Sequence, residues 1–238
     1  MKSLPWHHIH ITLADREAAA KWHDQHTPAK RVRPTKRSEN LYCGSNLMQI
    51  QSTAVAPESR DAVIDSIGIG VSNIDKVVIK WKSSGGSVDI LTKYSARIRD
   101  PWGVPFELIE TSHVGYTHIV IAVAAPKQLY DWYISNLGGT RINCEWDNSR
   151  YVLEYDTMQI MFIKMTRPIS SDVTRYIDHL GWFTEDLNTI CQRLSANNVR
   201  FPVMPKKYGS VHLAFAEDPC GIWIELLEPP NGKIRKLY

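Results

Sequence analysis

The sequence predicts an α+β protein of four similar units, each made of a strand, a helix and further strands. Stretches that alternate apolar and polar residues, a pattern typical of half-buried strands, recur along the whole chain. One helical segment follows the first strand of each unit. Short sequence anchors also recur in the same order in the two halves, 110 to 118 positions apart. These observations predict two homologous halves of two units each.

Each predicted unit opens with an alternating strand. These four opening strands cover residues 8–13, 66–71, 118–123 and 179–184. Later strands include residues 151–155 and 158–163, where apolar and aromatic residues again alternate with polar ones.

Each predicted helix has a recognisable start or stop. We expect the helices to begin after Asp15, after Ser72, at Pro126 and after Thr184. The second should end near residues 85–86 and the third near residues 138–139, because glycine commonly ends a helix, and the fourth should run to about residue 197. Glu185 and Asp186 would lie in the first turn of the fourth helix, where acidic side chains interact favourably with the helix dipole.

Four anchors align the two halves. His8 corresponds to His118, and residues 48–50 correspond to residues 158–160, both at an offset of 110 positions. Residues 64–66 correspond to residues 177–179 at an offset of 113, and Glu107 corresponds to Glu225 at 118. Small loop insertions account for the rising offset. We therefore predict two domains, residues 1–112 and 113–238.

Composition restricts the class of protein. The 238 residues carry 28 Lys and Arg against 25 Asp and Glu, a net charge of +3, and 43% of them are hydrophobic. These values are ordinary for a globular protein, and the charge is too small to indicate nucleic-acid binding. No run of about 18 apolar residues predicts a membrane span, and the N-terminus lacks the apolar core of a signal peptide. The four cysteines are scattered without a C-x-x-C pair, which favours reduced thiols in a cytoplasmic protein.

Four βαβββ units that open with histidine or a substitute, and that close in two cases with D-P-x-G-x-x-x-E-L, resemble the vicinal oxygen chelate superfamily. This superfamily includes glyoxalase I, extradiol and hydroxyphenylpyruvate-type dioxygenases, and the fosfomycin and bleomycin resistance proteins. The resemblance covers about residues 6–229, and residues 214–228 are especially similar to the closing strand of glyoxalase I. It implies two domains with open, cup-shaped sheets, each built from two units around a position for a divalent metal.

The resemblance implies metal ligands on the opening and closing strands. In the second half these positions hold His118, Gln159, His179 and Glu225. In the first half they hold His8, Gln49, Ser66 and Glu107. A serine hydroxyl is a poor ligand, so we expect the first site to be degraded and the second to bind metal.

The expected metal ligands are thus His118, His179 and Glu225, with Gln159 as an additional weak ligand. In some relatives the cup forms across the halves instead. His8 and Gln49 would then join His179 and Glu225, and the sequence leaves both pairings open.

Two imidazoles and one carboxylate bind a divalent transition metal and leave positions for substrate and for water or dioxygen. Fe(II) is favoured by the retained ligand set, while Zn, Ni or Mn would also be accepted. Glu225 could act both as ligand and as catalytic base. Phe215, His212 and Tyr208 are candidate pocket residues. Extradiol enzymes carry a tyrosine ten positions before the glutamate, and this chain has Phe215 there.

Three functions remain open. We favour an Fe(II)-dependent dioxygenase that acts on a small substrate with adjacent oxygen atoms. A glyoxalase-type isomerase or lyase with Zn or Ni is the first alternative, and a metal-free resistance protein that sequesters its ligand is the second. The expected partner is a small molecule, with neither nucleic acid nor membrane, and the chain would be a monomer or a homodimer.

Two basic segments have no assigned role. Residues 30–37 contain five positive charges, and Lys206 and Lys207 precede a predicted strand near the cup mouth. Both fit solvated loops, or surfaces that attract an acidic substrate.

Overall fold

The computed structural model describes residues 2–52, 62–144, 147–166 and 176–230. Unit one contains β1 (Trp6–Thr12), α1 (Arg16–His26), β2 (Lys30–Arg31), β3 (Ser38–Cys43) and β4 (Asn46–Gln51). Unit two contains β5 (Ala62–Val71), α2 (Ile74–Ser83), β6 (Ser87–Leu91), β7 (Ser95–Arg99) and β8 (Pro105–Glu110). Unit three contains β9 (Gly115–Val123), α3 (Pro126–Asn136), β10 (Thr140–Ile142), β11 (Tyr151–Tyr155) and β12 (Met158–Lys164). Unit four contains β13 (Ile177–Phe183), α4 (Leu187–Ala196), β14 (Arg200–Tyr208), β15 (Val211–Glu217) and β16 (Trp223–Glu228). The predicted α+β class and the four βαβββ units are confirmed.

The helices begin close to the predicted positions, with two corrections. The Asp15 side chain accepts a hydrogen bond from the Ala18 backbone N–H and caps α1, as expected. The N-cap of α2 is Asn73, one residue after Ser72, because an amide oxygen reaches the N–H three residues on. The N-cap of α4 is Asp186, not Thr184. The Thr184 hydroxyl instead accepts a hydrogen bond from the Asp186 backbone N–H.

The strands form two sheets of eight strands, and each sheet draws on both halves of the chain. Sheet A has the order β14-β15-β16-β13-β1-β4-β3-β2 and combines units one and four. Sheet B has the order β10-β11-β12-β9-β5-β8-β7-β6 and combines units two and three. The division into residues 1–112 and 113–238 therefore marks the sequence repeat but does not separate the sheets. The sequence left open whether units pair within a half or across the halves. The strand order shows pairing across the halves.

The helices cover one face of each sheet, and this face forms the core. Side chains on β1 alternate, so that Ile9 and Ile11 are fully buried against the helices while His8 and His10 lie on the opposite, concave face. All four helices and both sheets contribute to one continuous hydrophobic cluster. The helices are 10 or 11 residues long, and none in the described part of the chain is long and apolar enough to cross a membrane.

Two buried polar contacts join the sheets through the Asp-Pro-x-Gly turns. His23 of α1 contacts Asp100 of unit two with 3.1 Å between Nε2 and Oδ2. Tyr133 of α3 donates its hydroxyl proton to Asp218 Oδ2 of unit four, also at 3.1 Å. Each contact links a unit of sheet A to a unit of sheet B. One contact lies in each half of the chain, so the two sheets are joined twice.

Each sheet carries a β-bulge on the strand where the two halves meet. Between the pairs His10–His179 and Ile11–Ile177, β13 has one extra residue, Asp178. The equivalent extra residue on β5 is Asp65. A bulge turns its side chain away from the regular alternation. Asp178 can therefore reach the same concave face as its neighbour His179.

Candidate metal centre

Three buried side chains converge at the floor of the cup formed by sheet A. They come from three adjacent strands: His8 from β1, His179 from β13 and Glu225 from β16. His8 Nε2 lies 3.1 Å from His179 Nε2 and 3.2 Å from Glu225 Oε2, and His179 Nε2 lies 3.2 Å from the same oxygen. The three atoms thus form a nearly equilateral triangle. Their residues are 1%, 5% and 8% exposed, so water solvates them poorly.

A glycine makes this convergence sterically feasible. Gly181 lies on the central strand β13, opposite His8 of β1 on one side and Glu225 of β16 on the other. A Cβ atom at Gly181 would lie 2.2 Å from His8 Nδ1, much closer than van der Waals contact. The His8 ring can therefore lie over β13 only because residue 181 has no side chain.

The triangle has the dimensions of a metal-binding face. Donor atoms bound at about 2.1 Å lie about 3.0 Å apart at adjacent octahedral positions and about 3.4 Å apart in a tetrahedron. The observed separations of 3.1 to 3.2 Å fall between these values. Two histidines and one carboxylate are also the donor set that binds divalent transition metals and leaves open positions. The residues present fit a divalent metal.

The electrostatics of the triangle also favour a positive charge there. Burial raises the pKa of Glu225, but hydrogen bonds from His179 and His8 outweigh it and hold this pKa well below its usual range. Burial lowers the pKa of His179, yet hydrogen bonds to Asp178 and Glu225 raise it overall. Burial is the main reason that the pKa of His8 is lowered, which leaves this ring neutral and able to act as a ligand.

Asp178 fixes the orientation of His179. Its Oδ2 lies 2.6 Å from His179 Nδ1, a charge-assisted hydrogen bond in which the ring nitrogen donates. The lone pair of a neutral His179 ring is then on Nε2, which faces the triangle. Carboxylates commonly orient metal-binding histidines in this way. The sequence analysis did not identify Asp178, although it lies in the anchor of residues 177–179.

Two further histidines surround the centre and were not predicted. His7 and His8 face each other with 2.8 Å between their Nδ1 atoms. His10 Nδ1 lies 3.1 Å from Asp178 Oδ2 and 3.0 Å from His179 Nδ1. His10, Asp178 and His179 are therefore a second cluster of potential ligands. His10 Nε2 is buried and has no hydrogen-bond partner among the described residues.

The predicted grouping of His118 with His179 and Glu225 is corrected by the strand order. His118 lies on β9 in sheet B, where its Nε2 is 2.9 Å from Glu107 Oε2. Ser66 occupies the β5 position that corresponds to His179 on β13. Arg150 donates hydrogen bonds to both oxygens of Glu107, at 2.7 and 2.8 Å. The carboxylate that a metal would need is therefore already paired with a guanidinium group. The residues of sheet B thus do not fit a metal, and the sequence analysis did not identify Arg150.

Gln49 and Gln159 are not at equivalent positions. On β12, Gln159 is the strand neighbour of His118. On β4, the strand neighbour of His8 is Leu47, whereas Gln49 lies beside His10 and donates a hydrogen bond to Asn40. The offset of 110 that aligned the two glutamines is therefore two residues short. Glu225 is the strand neighbour of Gly181, two residues after His179, and Gln49 is likewise the neighbour of the residue two positions after His8. Gln49 therefore occupies the position in sheet A that is equivalent to Glu225, that of a fourth ligand.

The three candidate pocket residues lie in different places. Phe215 contacts His179 edge to face, with 5.0 Å between ring centroids, and so lines the centre. His212 points away from it, is about half exposed and lies 3.7 Å from Glu228. Tyr208 lies at the end of β14, where its hydroxyl accepts a hydrogen bond from Arg37.

The fold and this centre define a class of protein: paired βαβββ modules whose cup holds two histidines and one carboxylate. Residues 115–226 match the family model of the Glyoxalase/Bleomycin resistance protein/Dioxygenase superfamily. The matched segment belongs to that superfamily, and the whole chain has its fold because units one and two repeat the architecture of units three and four.

Solved structures share this fold along nearly the whole chain. Glyoxalase I from Zea mays has a TM-score of 0.76 at 14% identity, and its V278E mutant has 0.78 at 15%; each comparison covers 96% of this chain and 93% of the other. A proposed dioxygenase from Bacillus subtilis has a TM-score of 0.73 at 12% identity, covering 97% of this chain and 87% of that one. No curated protein sequence matches the chain. At these identities the likeness concerns the fold alone.

Proposed function

We propose that the chain is a metal-dependent dioxygenase in which His8, His179 and Glu225 hold Fe(II). Its substrate would be a small molecule that presents two adjacent oxygen atoms. The observation that carries this proposal is the triangle of ligand atoms, 3.1 to 3.2 Å apart, at the floor of sheet A. Two histidines and one carboxylate on one face of the metal are typical of non-haem Fe(II) oxygenases.

The number of protein ligands supports an oxygenase. His8, His179 and Glu225 form the ligand triangle, while Gln49, at the fourth position, donates its amide N–H to Asn40. Three protein ligands leave three positions of an octahedral ion, enough for two substrate oxygens and dioxygen. When bound, Fe(II) would supply the electron transfer to dioxygen that protein side chains lack.

The surrounding residues would orient the ligands and exclude water. Asp178 holds His179 in the tautomer that presents Nε2 to the centre. Phe215 packs against the His179 ring and against Trp223, which gives this side of the cup an aromatic wall. One carboxylate oxygen of Glu225, Oε2, lies 3.2 Å from a ring nitrogen of each histidine. This arrangement favours Glu225 as a metal ligand over Glu225 as a catalytic base.

A glyoxalase-type isomerase or lyase with Zn or Ni is the second candidate. It is favoured by His10, whose buried Nε2 has no partner among the described residues and which lies beside Asp178. Proton transfer between carbon atoms needs such a group near the metal. A metal-free sequestering protein is the least supported function, since the three side chains converge at the separations of a metal-binding face.

Metal replacement would separate the two candidates. The apoprotein would be loaded anaerobically with Fe(II), Zn, Ni or Mn and supplied with a panel of catechols and 2-oxo acids, while oxygen uptake is followed. We expect oxygen consumption only with the Fe(II) form, because zinc cannot change its oxidation state. Full turnover by the zinc or nickel form without oxygen would refute the oxygenase and support the isomerase.

A further inference from the structure

The two edges of sheet A meet across the cup. Arg37, in the connection between β2 and β3, donates a hydrogen bond to the Tyr208 hydroxyl at the end of β14. The Arg37 guanidinium also lies over the Tyr208 ring, 5.5 Å from its centroid. The strands β2 and β14 are the first and last of eight, and a flat sheet would hold them about 34 Å apart. The sheet must therefore curl until its two edges lie within reach of these two long side chains.

The direction of the curl places this bridge over the candidate metal centre. The face of sheet A that carries Ile9 and Leu226 is fully buried beneath the helices, so the sheet can curl only towards its other face. That other face carries His8, His179 and Glu225. The contact between Arg37 and Tyr208 thus spans the mouth of the cup.

Positive charge without a carboxylate partner is concentrated at this mouth. Arg33, Lys36 and Arg37 lie on one edge, and Lys206 and Lys207 lie on the other. None of the five forms an ion pair with any described residue, whereas the neighbouring Lys30 and Arg31 are paired with Asp24 and Glu39. Uncompensated positive charge at the mouth of a cup attracts anions.

Only one of the two lysines faces the centre. Lys206 is the strand partner of Leu213, which in turn pairs with Leu227, two residues along β16 from Glu225. Cross-strand partners lie on the same face of a sheet, so Lys206 shares the concave face with Glu225. Lys207 pairs with His212 and lies on the opposite face. Two strand spacings and two residues separate the Cα atoms of Lys206 and Glu225, about 12 Å along the sheet.

We propose that the cup accepts an anionic substrate, a carboxylate attached to a planar ring whose two adjacent oxygens reach the metal. Lys206 and Arg37 would receive the carboxylate at the mouth, while the ring lies against Phe215. This inference rests on the proposed function, since it names the substrate class of the same centre. The spacing of about 12 Å between backbone positions leaves room for one substituted ring between the lysine side chain and the ligands.

Chelating probes of different charge would test it. The protein would be loaded with Co(II), and the dissociation constants of catechol, 3,4-dihydroxybenzoate and dopamine would be measured from the cobalt absorption spectrum. We expect 3,4-dihydroxybenzoate to bind about fivefold more tightly than catechol, and dopamine to bind more weakly than catechol. The preference should shrink as the salt concentration rises.

Matched variants would locate the effect. Lys206→Gln and Arg37→Gln should remove most of the preference for 3,4-dihydroxybenzoate and leave the affinity for catechol unchanged. Lys207→Gln is the control, since it removes the same charge from the opposite face, and it should retain the preference. Equal binding of the three probes, or an equal loss in the Lys207 variant, would overturn the anionic substrate and leave the metal centre intact. If no probe changes the cobalt spectrum, the chelating substrate is refuted, and if Co(II) itself fails to bind, the proposed metal centre is refuted.

Discussion

At the residue scale, the structure assigns different roles to two histidines that the sequence treats as equivalents. His8 faces His179 and Glu225 in sheet A, whereas His118 faces a carboxylate already bound by Arg150 in sheet B. We therefore expect His8→Ala to weaken metal binding by more than about 100-fold and His118→Ala to leave the affinity unchanged. Calorimetric titration of both variants measures this. Loss of binding in the His118 variant alone would contradict the assignment.

Asp178 should matter for metal affinity although it is not one of the three ligands. Asp178→Asn removes the carboxylate that accepts the His179 Nδ1 proton, so the ring is no longer held in the required tautomer. We expect metal affinity to fall 10- to 100-fold, roughly the range typical of such outer-shell changes. Metal titration against the wild type gives the ratio. The equivalent change Asp65→Asn, in sheet B, should have no effect on affinity.

The residues of the centre were only partly predictable from the sequence. His179 and Glu225 were identified because they lie at repeat anchors, and each belongs to the centre in either pairing. Gln159 was misplaced for a physical reason. Met161 is at the position equivalent to Glu107 and Glu225, and because side chains alternate with a period of two, a shift of two residues preserves the pattern of the strand. Arg150 belongs to no repeat, and its contact with Glu107 depends on a fold that brings β8 close to the start of β11.

At the scale of elements, the sheet needs glycine at the position where the His8 ring crosses β13. Gly181→Ala would place a Cβ 2.2 Å from His8 Nδ1 and displace the ring from the triangle. We expect loss of metal binding together with a cost of about 1–3 kcal/mol in the free energy of unfolding.

Sheet B supplies the control for this prediction. A Cβ at Gly68 would lie 2.1 Å from His118 Nδ1, the same collision in the cup that does not fit a metal. Gly68→Ala should therefore cost similar stability while metal binding is retained. Chemical denaturation and metal titration of both variants separate the two effects. Normal metal affinity in the Gly181 variant would argue against His8 as a ligand.

The order of helices and strands was predictable because local patterns determine it. Alternating strands, Asp15 before α1 and Pro126 at the start of α3 all act over a few residues. The pairing of strands depends instead on contacts between distant units. β1 and β13 carry no pattern that distinguishes partners across the halves from partners within one half, so the sequence left both open.

At the scale of the whole molecule, one of the two buried contacts that join the sheets, between Tyr133 and Asp218, has a stability that depends on pH. Burial raises the pKa of Asp218 to about 6, and its partners are two backbone N–H groups and the Tyr133 hydroxyl. A carboxyl whose pKa is raised by folding binds its proton more tightly in the folded state. Its contribution to stability is therefore complete below about pH 4 and is lost as the pH rises through about 6.

The neutral variant Asp218→Asn would reveal this contribution. The stability of the variant relative to the wild type, measured as the difference in their free energies of unfolding, should rise by about 2 kcal/mol between pH 4 and pH 7. Denaturant unfolding at a series of pH values measures the difference. Parallel curves for the two proteins would show that Asp218 is already ionised in the folded state without penalty.

Pairing of the first unit with the last has a consequence for biosynthesis. Residues His8 and His179 are 171 positions apart, so β1 has left the ribosome long before its neighbour β13 is translated. Units two and three are consecutive, and sheet B can assemble while the chain is still growing. β1 must wait as an unpaired edge that could associate with other nascent chains. The candidate metal centre is therefore the last part of the molecule to form, and a polypeptide released before Glu225 cannot complete it.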